Sequence, residues 1–437
     1  MKFDDHLGLQ PDLAEECHLD GSFKVATCTL RKNLKWSDGS PFSNRDFLSL
    51  YEKILDPSSL APRADLLFNI KGAQELYQTK KGRLAILLKD DRTIRFELKS
   101  ADPDFLYLLA TLPLSPSKKN AFSGPYQLDQ WEKGRRIILK KNPHYPTGYK
   151  NRPPVEMSFI EDEGTALHLY EKKQLDFLRR LPTLHLGKYK GSPDFHWIPL
   201  SRLDYIGFGP RLHDHPGLRQ ALVRSLNYVE LQRLFHSEGQ PGCPGIPAQW
   251  LAPPELPCHS FDPEKAKAQL EAQETKQLFP LYLAFSNAGG DDHRRAAEWE
   301  QDQWQKHLKI PVQVRGIENK IYLSKLKNDP PDLFRKAVTS DRPTCQSFLE
   351  AFFKDLQGTR LEIKNSTLPQ TLQSIQSLTS EQARRQQCRQ ALSELINQAQ
   401  FIPLGAIHYG VLARPHFKGW RLNSLGFLDL ANLQKNP

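Results

Sequence analysis

Two imidazoles flank a carboxylate at His213-Asp214-His215. Such a triplet could begin a metal site, because neutral imidazole and carboxylate are both zinc ligands. No third ligand stands at a suitable spacing nearby, so the segment reads as the polar entry to a helix with Pro216 at its first position. None of the six cysteines falls in a Cys-x-x-Cys or Cys/His metal pattern. Cys243 and Cys258 bracket a proline-rich loop and could join in an oxidising compartment. Cys17 and Cys28 stand on the two arms of a predicted hairpin. They read first as two small buried hydrophobes, with a cross-strand disulfide as the competing arrangement. Nucleophilic catalysis has no local signature: no Gly-x-Ser-x-Gly elbow, no phosphate-binding loop and no dinucleotide fingerprint. Triads can assemble across a fold, but no base–nucleophile pair is singled out. The sequence is therefore expected to carry no catalytic residue, no metal and no cofactor.

The elements that must position any site are more legible. At residues 31–46, strand residues end at Trp36, and Ser37-Asp38-Gly39 is turn chemistry in which Gly39 can take positive φ. Ser43 then caps a helix over 45–54, with Asp46 as an acidic partner in its first turn. Asp20-Gly21 is a two-residue hairpin signal. Helices are expected over 68–77, 104–112, 263–272, from His293 onward, over 322–327 and over 380–400. The last of these carries Leu392, Leu395 and Ile396 on one face. Strands are expected over 93–98, 126–131, 136–140, 204–208, 281–285 and 311–314, the segment 333–339 leads into a strand or its end, and 166–177 reads as helix–turn–strand.

With 437 residues the chain is too long for one hydrophobic core, so two or three lobes are expected. Hydrophobic residues at 39% and charged residues at 25% are ordinary for a globular protein. The net charge of +10 is spread over isolated basic pairs such as Lys80-Lys81 and Arg135-Arg136 rather than a run, which speaks against a nucleic-acid partner. No apolar stretch is long enough to span a membrane.

Several short segments then fall in a telling order. Pro11-Asp12-Leu13-Ala14-Glu15 precedes Leu34-Lys35-Trp36-Ser37-Asp38-Gly39. Next come Ser123-Gly124-Pro125-Tyr126 and Asn142-Pro143-His144-Tyr145, then Leu175-Asp176-Phe177 and Arg219-Gln220-Ala221-Leu222. Phe261-Asp262-Pro263-Glu264-Lys265-Ala266 and Ser347-Phe348-Leu349 close the series. Over nearly the whole chain this order resembles the family-5 extracellular solute-binding proteins, the peptide-binding subunits of ABC importers. The resemblance implies an α/β fold: a two-lobed, type II periplasmic-binding-protein clamshell with a small α+β accessory lobe. It places the accessory lobe at 1–122, lobe I at 123–200 plus 409–437, and lobe II at 201–408, with the crossings near 200 and 409 as the hinge. It implies a monomer that takes a peptide ligand and delivers it to membrane-embedded permease subunits, outside the cytoplasm. The Met1–Gly8 segment resembles the stretch just before the Pro-x-Leu-Ala-Glu motif. Met1 is therefore expected to be an internal methionine, with an export signal and a first strand-rich segment missing before it. The alternative is a shortened cytosolic protein.

The resemblance also names site residues. Asp341 takes the place of the aspartate that holds the peptide ammonium. Arg335 takes that of an arginine that reaches the peptide carboxylate, and His293 that of a histidine meeting the carboxylate of a longer peptide. The chemistry suits these roles, since a carboxylate pairs with ammonium and guanidinium grips carboxylate bidentately. Two departures stand out: tryptophans that usually flank the side-chain pockets are matched here by Asn319 and Val338. Competing functions are a cytosolic ligand-sensing domain of a regulator with the same fold, a hydrolase, or a binder of a metal chelate, haem or sugar.

Overall fold

The computed structural model describes residues 1–437 except Pro62, 237–239, 358–367 and 436–437. It divides into two compact units, one of Met1–Glu161, Gln376–Thr379 and Ala413–Pro437, the other of Asp162–Ile375 and Ser380–Leu412.

The first unit holds an antiparallel sheet of β1 (Ala14–Leu19), β2 (Val25–Leu30), β3 (Ile86–Leu88) and β4 (Thr93–Glu97), in the order β1-β2-β4-β3. Alternate residues of β2 and β4, among them Ala26, Cys28, Ile94 and Phe96, enter a core with Trp36, Phe42, Tyr51 and Phe105. Helix α1 (Asn44–Leu55) packs here, and Ser43 and Asp46 form the expected capping box at its start. The Asp20-Gly21 pair, however, does not make a two-residue turn. The strands stop at Leu19 and resume at Val25, and Asp20 Oδ1 accepts from the Lys24 and Val25 amides, each at 3.0 Å. Nor does a helix fill 68–77: α2 runs over Ala73–Thr79. Gly72, at φ 79°, precedes it, and a Cβ there would sit 2.1 Å from the Arg83 carbonyl oxygen. Strands β5 (Tyr126–Glu132), β6 (Arg136–Lys141) and β7 (Val155–Ser158) form a separate antiparallel sheet.

Cys17 and Cys28 sit directly opposite one another on β1 and β2 and are joined as a disulfide, which corrects the reading of two separate buried hydrophobes. Cys243–Cys258 is also a disulfide, as is Cys345–Cys388, a pair the sequence analysis did not identify.

The second unit begins with α3 (Glu163–Glu171) and is organised by a six-stranded mixed sheet. Its strands are β8 (Phe177–Leu178), β9 (Phe195–Phe208), β10 (Leu281–Ser286), β11 (Val312–Ile317), β12 (Leu333–Thr339) and β13 (Phe401–Ala413), in the order β8-β13-β9-β12-β10-β11. β9 runs antiparallel to β12 and β13, while β10 is parallel to β11 and β12. Positions 200 and 409 both fall inside the long pair β9–β13.

The two faces of this sheet differ. On one, Tyr205 meets Phe334, Phe352 and Phe401 edge to face. Gly207 permits this packing, because a Cβ there would lie 1.9 Å from the Phe334 ring. On the other, Ile206, Phe208 and Leu333 pack with Leu218, Leu222 and Trp304. Trp304 belongs to helix α4 (Gly290–Leu308), the longest helix of this unit. Helices α5 (Asn319–Asn328), α6 (Cys345–Gln357) and α7 (Glu381–Asn397) follow it.

Candidate ligand-binding site

The register of β9 on β12 pairs Asp204 with Ala337 and Ile206 with Arg335. With a side-chain period of two, Arg202, Asp204 and Arg335 share one face of the sheet, and Asp204 and Arg335 are diagonal neighbours. Arg202 grips Asp204 with a fork of hydrogen bonds, Nε to Oδ2 at 2.7 Å and Nη2 to Oδ1 at 3.0 Å. Arg335 Nη2 stands 3.8 Å from Asp204 Oδ1. Burial alone would raise the Asp204 carboxyl, but Arg202 and then Arg335 outweigh it and hold it below the usual range.

Helix α4 supplies the facing wall. Its first turn is set by Gly289 and Gly290, the latter at φ 68°. A Cβ at Gly289 would overlap the His293 ring, 1.8 Å from Nδ1. The glycine thus lets the imidazole lie against the chain, where Nδ1 is 3.2 Å from the Ser286 carbonyl oxygen. That contact makes Nδ1 the protonated nitrogen of the neutral ring and leaves Nε2 as an acceptor. Burial, reinforced by Arg335, lowers the His293 pKa to about 3. The neighbouring Asp292 carboxylate accepts from Thr183 and Arg180 and lies 3.6 Å from Arg295 Nη1. Arg180 also reaches Glu163, at 3.4 Å.

These groups line, or stand immediately behind, a cavity of about 70 Å³. Its walls include Arg180, Arg202, Asp204, Asp292, His293 and Arg335, together with Trp197 and His408, whose rings stack at 4.9 Å. This is room for a few waters or one carboxylate group, not for a whole peptide. Four guanidiniums, at 180, 202, 295 and 335, meet three carboxylates, at 163, 204 and 292. Among the described residues Arg335 and Arg295 are the least engaged of the four, each with a buried donor that has no hydrogen-bond partner, and of these two only Arg335 lines the cavity. It makes one long bond, 3.4 Å from Nη1 to the Asp292 carbonyl, and its buried Nε has no hydrogen-bond partner.

The structure therefore brings Arg335 and His293 into one cavity. Asp341 lies elsewhere, half-buried in the loop that leaves β12, and is not among the lining residues. Asn319 begins α5 and accepts from Ser286 Oγ at 2.9 Å, and Val338 is buried on β12. Sequence reasoning missed Arg202 and Asp204, although an Arg-x-Asp pair entering an apolar strand signals charges that must be buried together. His213 does not begin a metal site: its Nε2 is 3.2 Å from the Phe208 carbonyl, and no metal-ligand cluster occurs among the described residues.

A parallel-and-antiparallel sheet with helices on both faces fits the two-lobed type II periplasmic-binding-protein fold. A periplasmic oligopeptide-binding protein from Borrelia burgdorferi superposes with a TM-score of 0.86 at 22% identity, covering 99% of this chain and 92% of that one. The sequence pattern of the bacterial extracellular solute-binding proteins, family 5 (Middle), matches residues 8–360, and the chain belongs to that family. The oligopeptide-binding protein OppA of Bacillus subtilis is 25% identical over 87% of this chain and 76% of its own length. The probable deoxycholate-binding periplasmic protein YgiS of Escherichia coli is also 25% identical, over 95% of this chain and 83% of its own.

Proposed function

We propose that this protein is the substrate-binding subunit of an ABC importer and takes peptides, with the cavity beside Arg335 receiving the terminal carboxylate. The observation that carries this reading is the buried, under-bonded guanidinium in a pocket of carboxylate size. A peptide carboxylate would give Arg335 the bidentate partner that Asp204, already forked by Arg202, does not provide. His293 stays neutral and adds an acceptor. Asp341, close along the chain on the loop leaving β12, is assigned to the peptide ammonium. Delivery to permease subunits as a monomer completes the proposal.

An extracytoplasmic location accords with three disulfides, which account for all six cysteines. Among the described residues no helix is long and apolar enough to cross a membrane.

A second reading is a different carboxylate-bearing solute. The likeness to a probable deoxycholate-binding protein favours it, as do Asn319 and Val338 at the positions matched to tryptophans. Native mass spectrometry of protein purified without denaturation separates the two. Released peptides support the first reading, and a released steroid acid, metal chelate or haem overturns it.

A further inference from the structure

The loop Ser340–Thr344, which carries Asp341, leaves β12 and ends where α6 begins. Burial alternates along its first half: Ser340 is 3% exposed and Arg342 8%, while Asp341 between them is half-buried. The Ser340 hydroxyl closes a small ring across Asp341. It donates to the Arg342 carbonyl and accepts from the Arg342 amide at 3.3 Å, a bond of the kind serine makes in turns. The Thr344 amide donates to the same carbonyl at 2.8 Å. These local bonds fix the shape of the loop but not its place on the molecule.

The Arg342 side chain supplies the place. Its Nη2 donates to Glu350 Oε2 at 2.6 Å, and the other Glu350 oxygen accepts from Gln346 Nε2 at 2.9 Å. The Arg342 and Glu350 side chains are 10% and 20% exposed, so this charge-assisted bond is largely shielded from water. Glu350 stands on α6, which is itself tied down at both ends. Cys345, its first residue, is joined to Cys388 of α7. Asp355, in its last turn, accepts from Tyr205 Oη at 2.6 Å and from the Lys336 ammonium, both of which belong to the central sheet.

We propose that Arg342 is the positioning residue of the ammonium site: clamped to Glu350, it holds the loop so that Asp341 is presented in one place, and so sets how strongly the protein prefers a free amine. The proposal rests on the assignment of Asp341 above and adds the group that acts through it. A carboxylate on a loose loop spends part of the energy of an ion pair on ordering that loop, whereas a preorganised one does not.

Two measurements test this on the full chain, in Arg342→Met and in the double variant Arg342→Met/Glu350→Met, which strands neither charge. The first is amide hydrogen exchange of the ligand-free protein. The Arg342 and Thr344 amides should exchange at least about tenfold faster in both variants, with the β12 amides from Leu333 to Ala337 unmoved. Exchange at wild-type rates in the double variant overturns the brace, whatever the ligand. The second is calorimetry with trialanine and N-acetyltrialanine. The wild type should favour the free amine, and the double variant should cut that preference at least about threefold, the loss falling on trialanine. A loss shared equally by the two peptides marks a merely structural role and overturns the proposal, as does faster exchange with an unaltered preference. A wild type indifferent to acetylation, beside faster loop exchange in the variants, overturns the ammonium assignment instead and supports the brace by itself.

Discussion

Two buried arginines, one in each unit, are held in opposite ways. Arg152, in the first unit, is 4% exposed and donates to five backbone carbonyls: Pro125, Asn142, Thr147, Tyr149 and Ala431. Its guanidinium is fully spent on tying chain segments together. Arg335, in the second unit, is 8% exposed and makes a single long hydrogen bond, with one donor idle. Burial alone thus does not distinguish a staple from a ligand group. What separates these two is how each guanidinium is spent: five carbonyls take up Arg152, whereas Arg335 keeps a donor idle at the wall of a cavity.

The largest effects should come from breaking the charged group outright. Asp204→Ala leaves Arg202 and Arg335 facing each other without their shared carboxylate, and should cost on the order of 3–5 kcal/mol in urea unfolding. Arg152→Met should cost roughly 3 kcal/mol by stranding its carbonyls, with ligand affinity unchanged. Arg335→Met should invert that pattern, weakening peptide binding by roughly a hundredfold or more while stability moves by less than about 1 kcal/mol. Loss of stability in Arg335→Met equal to that in Arg152→Met would erase the distinction between them. Asp341→Ala should weaken trialanine by roughly tenfold or more, and N-acetylated trialanine not at all, as read by calorimetry. An equal loss for both peptides would remove the ammonium assignment.

The smallest effect sharpens the electrostatics. The His293 pKa is lowered from 6.5 to about 3 in the folded protein. Between those values the unfolded chain binds a proton that the folded one does not, so this group costs stability as pH falls below 6.5 and adds no further loss below about 3. His293→Gln should therefore flatten the stability profile on the acid side, measured as urea midpoints from pH 7 to 4. Unchanged curvature would mean that the imidazole is not held neutral.

Much of this arrangement was legible in the residues. The segment carrying Arg335, 333–339, reads in the sequence as leading into a strand or its end, and in the structure the whole of Leu333–Thr339 is strand. The Ser43–Asp46 cap is local chemistry and is found as read. What escaped was non-local. Glu300, between Ala297 and Trp304, looks like a solvent-facing helical acid, although its spacing from His293 and Trp304 puts it on their face. Asp204 needed the β9–β12 register before its partner could be named. Cys345 and Cys388 are 43 residues apart on different helices, and nothing in the intervening sequence brings them together. The helix over 68–77 failed at Gly72, where a close approach of the Arg83 carbonyl requires glycine.

The central claim is that the guanidinium at 335 receives a ligand carboxylate. Titration of trialanine against its C-terminal amide, in the wild type and in Arg335→Met, tests it most directly. The account predicts that the free acid binds the wild type at least about a hundredfold more tightly than the amide, and that Arg335→Met binds the two alike. Equal binding of acid and amide by the wild type, or a preference that survives in Arg335→Met, would contradict it.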